Sequence, residues 1–319
     1  MSDLAIQTQG LAKTFRSRRG SVLAVDDLNL TVHTGEIFGL LGPNGAGKTT
    51  TIRMLCGLIR PSAGQAIVDG LAVTDRPDDV RARIGLVPED AGDHGNLSLI
   101  EELEYHGALH SLRRATVRQR AMPLIERLGL GDRASHRLET FSKGMRRKFH
   151  LIRALLHQPR ILLLDEPTAG LDPAIVEDVW DLFKALAQQH QVTVILCSHH
   201  LEEVEKLCDR VAIVRQRLLA QGTVAELSGG EGRWRIALAN DAAPFLPLIA
   251  RLPGVHEAAA QGALLRFSLT SEARDTVPPV VRAIVENGGA VLEVAPDTRD
   301  LRTLYKSVVG DAQQPGGPQ

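Results

Sequence analysis

The stretch Gly42-Pro43-Asn44-Gly45-Ala46-Gly47-Lys48-Thr49 constrains the fold of this chain more than any other feature. It fits the spacing G-x-x-x-x-G-K-[ST], follows an apolar run at Ile37–Leu41 and precedes a helix-forming run at 49–58. Glycines let successive backbone N–H groups turn inward without a clashing Cβ, so such a loop makes a cradle for phosphate oxygens. A helix that starts there aims its positive end at the same anion. Lys48 adds a full charge for the β- and γ-phosphates, and the Thr49 hydroxyl can ligate Mg²⁺. The combination predicts a P-loop α/β domain that binds ATP.

A second cluster completes this picture. The run at 161–164 is apolar throughout and ends in Asp165 and Glu166. A buried strand of a parallel sheet delivers its last residue to the ligand-binding edge. Asp165 is then expected to hold Mg²⁺, and Glu166 to act as general base on the attacking water. Around these motifs, strand-like and helix-like runs alternate. Strands are expected at Ile84–Val87, 192–197 and 211–214, and helices at 99–112, 116–128, 143–157, 174–189 and Leu201–Leu207. Alternation indicates a largely parallel sheet, interrupted by a helical insertion at about 90–157.

The glycine-rich stretch Ser228-Gly229-Gly230-Glu231-Gly232 reads as a linker, so an ATP-binding domain over 1–228 is expected. Beyond it the pattern is β-α-β-β-α-β: 234–238, 243–252, 255–259, Leu264–Leu269, 277–287 and 291–294. That order predicts a small ferredoxin-like α+β domain over 229–310, closed by a helix at 301–309. The tail 311–319 has a disordered composition.

Bulk properties exclude some functions. The 319 residues carry 37 basic and 38 acidic side chains, a net charge of -1, so no global charge recruits nucleic acid or anionic lipid. No apolar run approaches the roughly 20 residues that span a bilayer, and the first residues show no basic segment followed by an apolar core, so no secretory signal is expected. Cys56, Cys197 and Cys208 show neither metal-ligand spacing nor an even-numbered framework, and read as reduced buried thiols. The basic stretches at 16–20 and 143–148 read as solvated faces.

These residues resemble the ATP-binding subunit of an ABC transporter over about residues 4–225. LLGPNGAGKTT resembles the Walker A segment of that family and extends the phosphate-binding set to Thr50. ILLLDEPTAGLDP resembles its Walker B and D-loop. Phe141-Ser142-Lys143-Gly144-Met145 stands where the family keeps LSGGQ, with Phe for Leu, Lys for the first Gly and Met for Gln. This variant is similar to exporter ATPases of the drug-resistance and sodium-export kind.

The resemblance implies a mainly parallel core sheet, an N-terminal antiparallel β part and the helical insertion. It implies that Ser142, Lys143, Gly144 and Met145 act in trans on the γ-phosphate held by a second subunit. It further implies that His199 contacts the γ-phosphate, that Asp172 communicates across the dimer, and that Phe15 stacks on adenine. Glu89, in IGLVPED, takes the place of the usual Q-loop glutamine; it keeps an oxygen for Mg²⁺ but adds a negative charge. The expected partners are a second copy of the chain and a separate membrane permease, docked near 85–112. The expected place is the inner face of the cell membrane, and the expected work is export. A soluble ATPase acting on ribosomes or DNA, and an ATP-binding regulatory module, are the alternatives.

Overall fold

The computed structural model describes residues 3–17, 20–89, 92–228, 233–269, 277–297 and 301–310. The linker residues 229–232, Arg18 and Arg19 of the first basic stretch, and the tail 311–319 lie outside the described residues. The chain divides into two compact units, Met1–Gln221 and Gly222–Gln319.

The first unit runs β1 (Leu4–Ser17), β2 (Gly20–Leu28), β3 (Thr31–His33), β4 (Ile37–Leu41), α1 (Lys48–Leu55), β5 (Ala63–Val68), β6 (Leu71–Ala72), α2 (Pro77–Arg83) and β7 (Ile84–Val87). There follow α3 (Leu99–Leu109), α4 (Arg114–Arg127), α5 (Lys143–Leu155), β8 (Ile161–Asp165), α6 (Pro173–His190), β9 (Thr193–Ser198), α7 (Leu201–Leu207), β10 (Arg210–Arg215) and β11 (Arg217–Thr223).

One sheet is antiparallel, in the order β2-β1-β5-β6 with β3 also on β1. The other has the order β11-β10-β4-β9-β8-β7, and every step from β10 to β7 is parallel. Every residue of β4, β8 and β9 is buried, as expected of strands covered on both faces. Ile6, Val25, Phe38, Leu40, Ile52, Met54, Leu163 and Ile195 belong to one core that joins the two sheets through α1. In the helical insertion, Leu103 of α3, Val117 and Ile125 of α4, and Phe149 and Ile152 of α5 are all fully buried.

The helices expected from apolar spacing are present, but several stop early. The runs 49–58, 99–112 and 143–157 end as helices at Leu55, Leu109 and Leu155. Just beyond each stop stands a residue with positive φ: Gly57 at 65°, Ser111 at 58° and Gln158 at 54°. A left-handed residue turns the chain off the helix axis whatever side chains follow. Helix α2 carries its own signal, Pro77 at the first turn followed by Asp78 and Asp79.

The second unit runs α8 (Val224–Leu227), β12 (Arg233–Leu238), α9 (Leu246–Ile249), β13 (Val255–Gln261), β14 (Leu264–Leu269), α10 (Val277–Glu286), β15 (Val291–Pro296) and α11 (Leu301–Gly310). Its sheet has the order β13-β14-β12-β15 with every neighbour antiparallel, the ferredoxin-like arrangement. Ile236, Leu238, Leu265, Phe267, Val280 and Ile284 form its core. The helix expected at 243–252 is a 3-10 turn at Ala243–Phe245 followed by a single turn of α9. Pro244 and Pro247 each remove a backbone donor, which shortens the helix.

Candidate active site

Strands β4, β9, β8 and β7 are adjacent and parallel, so their C-terminal ends share one edge of the sheet. Leu41 pairs with Ser198, Asp165 with Cys197, and Val87 with Leu164. This register sets the glycine loop, His199, Glu166 and Glu89 around one open cleft of about 580 Å³. Pro43, Asn44, Gly45, Ala46, Gly47, Lys48, Thr49 and Thr50 line it, together with Glu89, Asp165, Glu166 and His199. Gly42 is not among the lining residues.

Two glycines of the loop admit no other residue. A Cβ on Gly47, whose φ is 93°, would stand 2.4 Å from the Ala24 carbonyl oxygen. A Cβ on Gly42 would stand 2.4 Å from that of Val214. The loop is therefore clamped between β2 and β10, and it leads directly into the N-terminus of α1. Lys48 is 7% exposed; its ammonium donates to the carbonyl oxygens of Gly42 at 2.5 Å and Pro43 at 3.3 Å.

Burial pushes the Asp165 carboxyl above the usual range, and a hydrogen bond from the Thr49 hydroxyl pulls it back. Glu89 and Glu166 push it up further through their charge, while Lys48 opposes them. A hydroxyl and two carboxylates facing one cleft are hard oxygen donors, and Thr49 and Asp165 are already in contact. The set fits Mg²⁺.

Glu166 is buried and has a φ of 51°, rare for a residue with a Cβ and a strain of roughly 1–3 kcal/mol. Its backbone N–H is held by the Cys197 carbonyl at 3.0 Å. Its Oε1 lies 2.7 Å from Nδ1 of His199, so carboxylate and imidazole orient one another. His200 is exposed, with its ring 4.0 Å from that of His199.

Other expected site residues stand elsewhere. Ser142 caps α5, its Oγ accepting the Met145 N–H at 3.2 Å. Gly144 lies against Gly170 and Leu171, and Gly170 against Lys143, so 142–145 and the segment before Asp172 form one surface. None of Ser142, Lys143, Gly144, Met145 or Asp172 lines the cleft. Phe15 is 43% exposed and outside the lining as well; its strand partner Val22 does line the cleft.

The basic stretch 143–148 is not a solvated face. Arg147 is 5% exposed and donates to the Pro88 carbonyl at 2.7 Å; Lys148 is 8% exposed and donates to that of Leu128 at 2.7 Å. Arg146 pairs with Asp93 at 3.1 Å. These cations use long apolar stems inside the fold and bond backbone carbonyls, which charge counting along the sequence does not reveal. Arg147 thereby ties α5, which Ser142 caps, to the loop of Glu89. Glu203 is equally invisible in sequence: buried at the start of α7, it accepts from Thr168 at 2.8 Å and from the Trp180 indole at 3.3 Å. Cys56, Cys197 and Cys208 are buried and free, and burial pushes the Cys56 thiol up to about 12.

Beside the helical insertion, Leu86, Pro88, His106, His110 and His157 line a second cleft of about 280 Å³. His110 stacks on His157 at 4.0 Å. Deeper in α5, His150 is 4% exposed and pushed down to about 3, first by burial and then by Arg153, Arg147, His106 and Arg146. A histidine held neutral stabilises the fold fully above about pH 6.5, where the unfolded chain is neutral too. That contribution is lost as pH falls toward 3. Between pH 7 and 5 the loss is about 2 kcal/mol, the slope approaching roughly 1.4 kcal/mol per pH unit below 6.5. Urea midpoints at pH 7 and pH 5 measure it; the acidic midpoint is expected to be clearly lower, and His150→Gln to narrow the difference.

Residues 25–169 match the ABC transporter family. The chain is 43% identical to the daunorubicin/doxorubicin resistance ATP-binding protein DrrA of Streptomyces peucetius, over 72% of this chain and 68% of that protein. It is 36% identical to the daunorubicin resistance ATP-binding protein DrrA3 of Streptomyces coeruleorubidus, over 98% of each. Its fold is similar to the solved structure of an ATP-binding subunit of an ABC transporter, with a TM-score of 0.64 and 28% identity, over 70% of this chain and 91% of that one. Cleft, fold and relatives agree: the chain belongs to the ATP-binding proteins of the ABC transporter family.

Proposed function

We propose that this chain is the ATP-hydrolysing motor of an exporter, working as a pair of copies around two Mg-ATP and driving a separate permease. The observation that carries the catalytic part is the 2.7 Å contact of Glu166 with His199, on the same edge as the Lys48 loop. The loop N–H groups and Lys48 hold the phosphates. Thr49 and Asp165 hold Mg²⁺ with Glu89 alongside, and the bound ion offsets phosphate charge. Glu166 takes a proton from the water that attacks the γ-phosphorus, and His199 orients both groups. The products are ADP and phosphate. The exposed rim of Phe15 and Val22 offers an apolar face to the adenine.

Pairing follows from the separation of the two surfaces. Ser142, Gly144 and Asp172 stand outside the cleft, at the N-terminal ends of α5 and α6, where unpaired N–H groups attract anions. A second copy brings that surface to the γ-phosphate, and twofold symmetry completes both sites at once. Among the described residues no helix is long and apolar enough to cross a membrane; a separate permease as partner is the reading that the resistance relatives support. The histidine-lined cleft beside Pro88 suits that permease, because Arg147 links its wall to α5, the helix that Ser142 caps. Export is supported by the resistance relatives, one of which aligns over both units. The test is ATP turnover by the chain co-expressed with candidate permeases, against a Glu166→Gln control. Wild-type turnover no higher than that of the variant refutes the motor.

A further inference from the structure

The hydrolysis site carries a second cation chemistry that Mg-ATP does not use. Strand pairing of Asp165 with Cys197 brings Glu166 and the chain after Ser198 out of the sheet side by side. The Ser198 hydroxyl accepts the His200 N–H at 3.0 Å, a tight turn that folds the second histidine back beside the first. The two rings stand 4.0 Å apart with 38° between their planes. As a result, one carboxylate oxygen of Glu166 and one ring nitrogen each of His199 and His200 all lie within 4.8 Å of one another.

The geometry points to a three-ligand site for a divalent transition-metal ion of the zinc class, formed by Glu166, His199 and His200, which arrests the motor when filled. Two imidazoles and a carboxylate are a zinc donor set, and tetrahedral ligation at about 2.0–2.2 Å separates ligand atoms by about 3.4 Å. Small side-chain rotations bring these three atoms to that spacing. Glu166 is buried and held by its backbone, whereas both histidines are exposed, so an ion enters from solvent and keeps a water as its fourth ligand. Imidazole nitrogen favours zinc, copper or nickel over Mg²⁺. The oxygen set of Thr49, Glu89 and Asp165 has the opposite preference. One cleft thus separates two cations by ligand chemistry.

Metal binding stands on this geometry alone. The arrest rests on the reading of Glu166 as general base and His199 as its partner, because a ligated carboxylate no longer accepts the proton of water. The buried thiols of Cys56, Cys197 and Cys208 do not compete, as burial keeps them protonated.

The experiment uses untagged, nucleotide-free full-length protein and cobalt(II) as a visible probe, followed by zinc. The wild type is expected to bind one cobalt ion per chain with visible absorption bands that zinc abolishes. His200→Ala, which leaves Glu166 and His199 intact, is expected to bind at least about tenfold more weakly, a scale on which even outer-shell partners of a metal count. With Mg-ATP and no zinc, its turnover is expected to equal that of the wild type; micromolar zinc then stops the wild type and spares the variant. A wild type without cobalt bands, equal binding by the two proteins, or equal zinc inhibition overturns the proposal. If cobalt binds as expected but neither protein turns over ATP, the motor reading fails and the metal site stands.

Discussion

Glu166→Gln is expected to lower ATP turnover by about 10²- to 10⁴-fold, the range of a lost general base, and to leave ATP affinity near that of the wild type. The amide has the shape of the carboxylate, and its oxygen still accepts from Nδ1 of His199, 2.7 Å away in the native pair. What is expected to disappear is the basicity of the proposed general base toward water. Because φ at 166 is 51°, the backbone of this residue is set by the sheet register rather than by its side chain, so the substitution does not move it. Steady-state turnover with a parallel fluorescent-nucleotide titration measures both halves. Turnover within about twofold of the wild type shows that Glu166 is not the base.

Lys48→Ala acts on binding instead. Its ammonium is the only side-chain cation among the described residues that line the cleft, and it stands 7% exposed inside the loop. Charge-assisted hydrogen bonds contribute about 1.5–3 kcal/mol each, so ATP affinity falls by roughly 10- to 100-fold. The fold is expected to survive, because among the described residues the Lys48 ammonium donates only to the carbonyls of Gly42 and Pro43 in its own loop. Titration calorimetry with ATP gives the affinity, and an unchanged circular dichroism spectrum separates lost binding from lost structure. Unchanged affinity contradicts the cradle.

Much of this was legible in the sequence for identifiable reasons. The strand before the glycine loop and the strand before Asp165 are apolar throughout, and such runs belong only in a sheet covered on both faces. Once they are central and parallel, the residues just after them must meet at one edge, which accounts for the convergence of Lys48, Asp165 and Glu166. The ferredoxin-like order of the second unit follows from six alternating runs in the same way.

Other features depend on tertiary partners and had no local signature. Arg147 and Lys148 read as surface charge because nothing along the chain announces the carbonyls of Pro88 and Leu128 that they meet. Glu203 sits on an ordinary helical turn, and only the fold supplies Thr168 and Trp180 as its donors. Helix ends were misjudged where the stop was a left-handed Ser111 or Gln158, since neither residue type demands that conformation. The proximity of His200 to Glu166 also required the turn on Ser198.

The central claim is that the cleft around Lys48 is half of a site, completed by the Ser142 surface of another copy. Light scattering on Glu166→Gln, expected to hold ATP without consuming it, tests this most directly. With Mg-ATP the mass is predicted to double from the 34.6 kDa of one chain, and Ser142→Arg added to the same protein is predicted to return it to a single chain without loss of ATP affinity. A Glu166→Gln protein saturated with ATP that remains a single chain at every concentration would contradict it.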